Sequence, residues 1–226
     1  MSFSEERPTN PAKHFLNFKG GKVVYYDRES QENVTVQEPI EFIVLDQLAT
    51  VKGYNTQEGT GFWANEVRRV GEDTLTVRTK NGMKGSGIWR DIKDSPELKG
   101  AKYTTSAYVA IKGRNGLEIN NLSINGAALG QWIEFTKAHK INQVKVVLDK
   151  WEDGKVGSVN FKKPIFEATE ISDAEKEEAT KLDKELQTYL AQYFNYVPEP
   201  AHEQEEVVDV KDFDDDQPIS LDDIPF

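Results

Sequence analysis

The chain contains no cysteine. That absence excludes a disulfide framework, a thiolate zinc site, an iron–sulfur cluster and a cysteine nucleophile. Histidine is scarce: His14, His139 and His202 are scattered and match no metal-ligand spacing. No apolar run approaches the roughly 18 residues that a membrane-spanning helix needs. The polar stretch from Met1 to Pro11 lacks the apolar core of a signal peptide. HExxH, GxSxG and the Gly-Lys-Ser/Thr ending of a phosphate-binding loop are missing as well. The expectation from these absences is a cytoplasmic, non-enzymatic protein with no cofactor, no metal and no membrane partner.

Charge is present but segregated. The 226 residues carry a formal net charge of −11. Residues 1–170 hold 24 Lys+Arg against 22 Asp+Glu, whereas residues 171–226 hold 4 against 17. A near-neutral, slightly basic body thus carries a strongly acidic end. Such asymmetry signals nucleic-acid interaction or an acidic interaction tail.

The body reads as antiparallel β structure. Gly20-Gly21, Asn81-Gly82, Asn115-Gly116 and Asp153-Gly154 each separate two strand-like runs. Each pair suits a type I′ turn, in which both central residues take positive φ. Ile40–Val51 is apolar on both faces, which predicts a central strand. Phe62–Val70 and Pro164–Ile171 are further strand candidates. Asn125 can cap a short helix whose Leu129, Trp132 and Ile133 face a core. A longer helix runs from about Ser172 to Phe194, opened by a Ser172–Glu175 capping box. Its apolar stripe, Ala179, Leu182, Leu186, Tyr189 and Tyr193, packs on the body or on a second copy of the chain.

The predicted organisation is a body over 1–171, a helix over 172–196 and a disordered tail over 197–226. The tail holds 11 acids, one lysine and four prolines, too little apolar surface to offset chain entropy. A mainly β body with one short inserted helix fits an embellished OB-fold, an antiparallel barrel. An immunoglobulin-like sandwich is the rival, but it has no natural place for the 126–138 helix.

The chain reads Asp212-Phe213-Asp214-Asp215-Asp216, then Ser220-Leu221-Asp222-Asp223-Ile224-Pro225-Phe226. These pieces resemble the acidic tip of bacterial single-stranded DNA-binding proteins. The body around Phe42–Tyr54 (FIVLDQLATVKGY) is similar to single-stranded DNA-binding proteins encoded by phages. The resemblance implies a protein of the bacterial host cytoplasm that coats exposed single strands in replication, recombination or repair. It also implies recruitment of replication or recombination proteins through Asp222, Asp223, Ile224, Pro225 and Phe226. The chemistry of such a hook is simple. A pocket buries the Phe226 ring for roughly 1.5–3 kcal/mol, an arginine holds its carboxylate, and the acids speed encounter with a basic surface.

Sequence-tolerant binding of single strands needs cations along a groove and aromatic faces for the bases. In Lys102–Lys112 the alternation sets Tyr108 between Lys102 and Lys112 on one face. Arg78 and Lys80 share a face of the next hairpin, and Lys84 and Arg90 extend that positive side beside Trp89. Gly85-Ser86-Gly87 keeps the chain bare there for close approach of a backbone. Phe62, Trp63, Arg68 and Arg69 form a second aromatic–basic cluster. Trp132 reads as core. Two other classes remain open from sequence alone: an adaptor that binds only proteins, and a metal-dependent nuclease built from scattered carboxylates.

Overall fold

The computed structural model describes residues 8–195. In chain order the elements are β1 (Phe15–Lys19), β2 (Lys22–Asp27), β3 (Glu32–Thr35), β4 (Ile40–Asn55), β5 (Thr60–Ala64), β6 (Leu75–Thr79) and β7 (Gly82–Gly87). A short helix α1 (Trp89–Ile92) and a 3₁₀ turn (Pro96–Leu98) follow, then β8 (Ala101–Lys112), β9 (Leu117–Ile124), α2 (Gly126–Ala138), β10 (Lys145–Val156), β11 (Val159–Thr169) and α3 (Asp173–Asn195). The mainly β expectation, the inserted helix and the C-terminal helix are all present.

The strands form one sheet in the order β3-β2-β1-β9-β8-β4-β5-β6-β7, with β10 and β11 branching from β4. The branch exists because β4 is long. One edge of it pairs with β8 from Phe42 to Gly53. The other edge pairs first with β10, through Ile40–Ile43, and later with β5, through Lys52–Asn55. The expected closed antiparallel barrel is therefore corrected: the sheet is open, and β1 joins β9 in parallel.

A bulge explains why Ile40–Val51 looks apolar on both faces. The β4–β8 register shifts between Val44 and Asp46. One extra residue flips the alternation that follows it. Phe42 and Val44 face the inner core before the shift; Ala49 and Val51 face it afterwards. That inner face carries two clusters, one under α2 and β10 centred on Trp132, the other around Val51, Phe62, Leu75, Val77 and Trp89.

α3 covers part of the outer face. Leu186, Tyr189 and Leu190 pack on Leu48, Tyr108 and Ile119, and Ala179 packs on Ile43 and Ala110. The expected stripe thus docks on the body. Its capping box forms as predicted: the Glu175 amide donates to Ser172 Oγ at 3.3 Å, and the Ser172 amide donates to Glu175 Oε2 at 2.9 Å. At α2, by contrast, Asn125 makes no side-chain cap; its amide instead donates to Thr104 Oγ1 at 3.3 Å.

Three turn expectations shift. Gly20-Gly21 forms the expected two-residue turn, both glycines at positive φ. The Asn81-Gly82 hairpin turns through Lys80-Asn81, with Gly82 already paired to Thr79. The Asn115-Gly116 hairpin closes through a longer loop, since Lys112 pairs with Leu117. Asp153-Gly154 lies inside β10, and the chain reverses at Gly157-Ser158. Gly154 is there for packing: a Cβ on it would sit 2.3 Å from the Phe161 ring across the ladder. Phe62–Val70 stops being a strand at Ala64. The Asn65 side chain accepts from the Thr76 amide at 2.7 Å and donates to the Thr74 carbonyl at 3.0 Å, replacing the ladder there.

Candidate nucleic-acid interface

Residues directly opposite one another in a sheet share a face. The register places Lys102 of β8 opposite Lys52 of β4, Lys52 opposite Trp63 of β5, Trp63 opposite Arg78 of β6, and Arg78 opposite Met83 of β7. Five consecutive strands thus present two lysines, a tryptophan, an arginine and a methionine in one row. At about 4.8 Å between strands the row spans roughly 19 Å. It lies on the outer face, because the alternating neighbours Val51, Phe62 and Val77 fill the inner core. Arg78 is exposed, Met83 is 62% exposed, and Trp63, Lys52 and Lys102 are half-buried.

Lys52 is held by its surroundings. Its ammonium donates to Ser123 Oγ at 2.6 Å, reaching over β8 to β9. Burial pushes its pKa below the ordinary lysine value, while the Glu66 charge opposes that shift. Beside it lies a polar floor. The Tyr108 hydroxyl donates to Glu66 Oε2 at 2.8 Å, Ser106 also donates to Glu66, and the Asn121 amide donates to Ser106 Oγ at 2.7 Å. Asn10 donates to the Tyr108 hydroxyl at 2.9 Å. Burial, then the Glu66 charge, raises the Tyr108 pKa, so its hydroxyl stays a neutral donor.

Of the residues named from sequence, Lys102, Trp63 and Arg78 come together in the row, and Lys80 follows in the adjacent turn. Three aromatic assignments are corrected. Phe62 and Trp89 are inner-core residues, and Tyr108 is fully buried beneath α3. None of the three offers a face to a base. The bare Gly85-Ser86-Gly87 segment has another cause: Cβ atoms at Gly85 and Gly87 would meet Leu98 and Ile92.

Several cations sit elsewhere. Lys84 is paired with Glu58 from the β4–β5 turn. Arg90 rides on α1, whose Trp89 packs against the inner face. Arg68 pairs with Asp46 at 3.0 Å and lies under the Phe194 ring of α3. Arg69 pairs with Glu72 and Asp73 in its own loop. Lys112 is exposed at the far end of β8, about 33 Å from Lys102 at 3.3 Å per residue. Asp222, Asp223, Ile224, Pro225 and Phe226 lie outside the described residues.

Lys52 and Met83 were missed. Lys52 is hidden in the sequence because the apolar run of β4 ends at Val51, whereas the strand continues to Asn55. Met83 was legible only through the hairpin register.

No protein-family model, no curated protein and no solved structure matches the chain.

Proposed function

We propose that the chain is a non-enzymatic single-stranded DNA-binding protein that grips the strand on the outer face of its sheet. The row Lys102, Lys52, Trp63, Arg78, Met83 carries this reading. Lys102, Lys52 and Arg78 neutralise phosphates, and Trp63 offers an aromatic face worth about 1–3 kcal/mol per stacked base. Met83 supplies an adaptable apolar contact beside it. The row reads no base edges, so binding is sequence-tolerant. An OB-like use of an elaborated β body belongs to the same proposal. In this reading the protein coats exposed strands during replication, recombination or repair, and the Asp222–Phe226 segment recruits partner proteins.

The test is a fluorescence titration of the full-length protein with oligo-dT at several salt concentrations. Binding that weakens as salt rises, and that falls in Trp63→Ala and Arg78→Ala, is the expected result. Folded protein with no affinity for oligo-dT in dilute buffer overturns the reading and leaves the protein-only adaptor. Metal-dependent shortening of the labelled strand favours the nuclease.

A further inference from the structure

We propose a second single-strand contact on the same sheet face, formed by Phe15 and Tyr26 with Lys19 and Lys22. It rests on the reading that the Trp63 row grips nucleic acid, and it extends that site across the sheet.

The β1–β2 register pairs Leu16 with Tyr25, so Phe15 and Tyr26 stand opposite each other one step further on. They are 46% and 45% exposed, an unusual pairing of two open rings on adjacent strands. Their inward neighbours Leu16, Phe18, Val23 and Tyr25 pack on the core. The rings therefore point outward by strand alternation.

The two sites share the outer side of the sheet, but the residues that link them in register, Asn121, Tyr108 and Ser123, are buried, Tyr108 beneath α3, so a nucleic-acid strand joining the sites passes over covered ground. Phe15 aligns with Asn121 on β9, which aligns with Tyr108 on β8. Asn17 aligns with Ser123, the residue that accepts from Lys52. Lys19 pairs with Lys22 across the Gly20-Gly21 turn. Continuing the register carries the Lys19 row through Asn125 to Thr104, one strand repeat from Lys102. The two lysines thus lie between the Trp63 row and the two rings.

Charge selects the occupant. On the outward face of β1 and β2 the alternation leaves two lysines, two rings, Asn17 and Val24, and no acid. Asp27 of β2 falls on the opposite parity. Cations flanking aromatic faces suit a polyanion whose bases can stack. Tyr26 and Trp63 are five strand spacings apart, roughly 24 Å across the sheet. A short oligonucleotide held by the Trp63 row does not span that distance, and a longer one does.

The experiment compares wild type, Trp63→Ala, Phe15→Ala/Tyr26→Ala and Lys22→Glu with oligo-dT of increasing length. It is combined with photo-crosslinking to 5-iododeoxyuridine oligonucleotides and peptide mapping. The Phe15→Ala/Tyr26→Ala variant is expected to bind the shortest bound oligomers like wild type. On long ones it loses about five-fold or more in affinity, the equivalent of one stacked base. Lys22→Glu, which leaves both rings in place, shows a shallower salt dependence on long oligomers only. Crosslinks fall within residues 15–26 as well as near Trp63.

Wild-type affinity of both β1–β2 variants at every length, with crosslinks confined to the Trp63 region, overturns the second contact alone. No binding by wild type at any length overturns the reading beneath it. Unchanged DNA binding together with a loss of self-association in Phe15→Ala/Tyr26→Ala assigns the face to a second copy of the chain and also overturns the proposal.

Discussion

The Glu66 backbone amide donates to the Tyr193 hydroxyl at 2.7 Å, joining α3 to the segment that follows β5. Glu66 is the acceptor of the polar floor beside Lys52, so the helix and the candidate interface share a residue. The helix supplies Leu186 and Leu190, both fully buried against the sheet.

Shortening Leu186 should therefore cost more than its place on an acidic helix suggests. Leu186→Ala removes a buried side chain and is expected to destabilise by about 2–5 kcal/mol. Tyr193→Phe leaves the Glu66 amide without this partner and should cost about 1 kcal/mol. Arg68→Ala breaks a part-exposed ion pair with Asp46 and should cost no more than about 1 kcal/mol. Urea unfolding of the three variants checks the order. An Arg68→Ala loss as large as that of Leu186→Ala would mean that polar contacts hold the helix.

Trp63 should carry the optical signal of binding. Trp89 and Trp132 are buried in the inner clusters. Trp151 is half-buried and donates to Glu38 Oε1 at 2.8 Å on the β10 flank. Only Trp63 lies in the cationic row. Trp63→Phe is expected to abolish most of the quenching by oligo-dT while retaining a ring for stacking, and Trp89→Phe to leave the quenching intact. Full quenching in Trp63→Phe would move the contact to another face.

The architecture was legible where side-chain alternation was clean. The Gly20-Gly21 turn, the β8–β9 hairpin, α2 and the α3 stripe follow from turn chemistry and period. The open, branched sheet was not legible, because local patterns do not say that β4 serves two neighbours on one edge. The site was legible only in part for the same reason. Arg78 and Trp63 stand in different hairpins, and only the register sets them side by side. Tyr108 misled because its strand alternates small and polar residues, which reads as an exposed face. In the fold α3 covers that face, and Tyr108 and Ser106 donate to Glu66 beneath it.

Glu175 should give α3 an acid-sensitive start. Hydrogen bonds from the Ser172 hydroxyl and amide, followed by Lys145, hold its pKa down to about 2, against an ordinary value of 4.5. A carboxylate depressed in the fold contributes fully above its unfolded pKa and loses that contribution as pH falls through its folded one. Glu175→Ala should lower stability at neutral pH by about 1 kcal/mol, the usual worth of a cap. The gap to wild type should narrow from about pH 4.5 downward and close near pH 2. Thermal melts of both proteins across that range decide it; a gap independent of pH would mean that packing, not ionisation, is responsible.

Gly53 should couple the stability of the sheet to the geometry of the row. It follows Lys52 at a φ of +157°, and a Cβ there would lie 2.1 Å from the Gly100 carbonyl oxygen. The obstacle is backbone, with no side chain that could swing away, and the partner is equally constrained: a Cβ on Gly100 would lie 2.3 Å from the Tyr54 carbonyl oxygen. Only two glycines let β4 and the start of β8 approach this closely. Gly53→Ala must then push β4 from β8 beside the Lys52–Lys102 pair. The expected result is a loss of stability on the order of 1–3 kcal/mol, with weakened oligo-dT binding even where the variant remains folded. Gly59→Ala, at a turn glycine whose added methyl would meet only the Tyr54 hydroxyl at 3.8 Å, supplies the comparison: some backbone strain, and DNA affinity retained. Equal losses of affinity in the two variants would show that strain in the β4–β5 hairpin, and not the β4–β8 approach, governs the row.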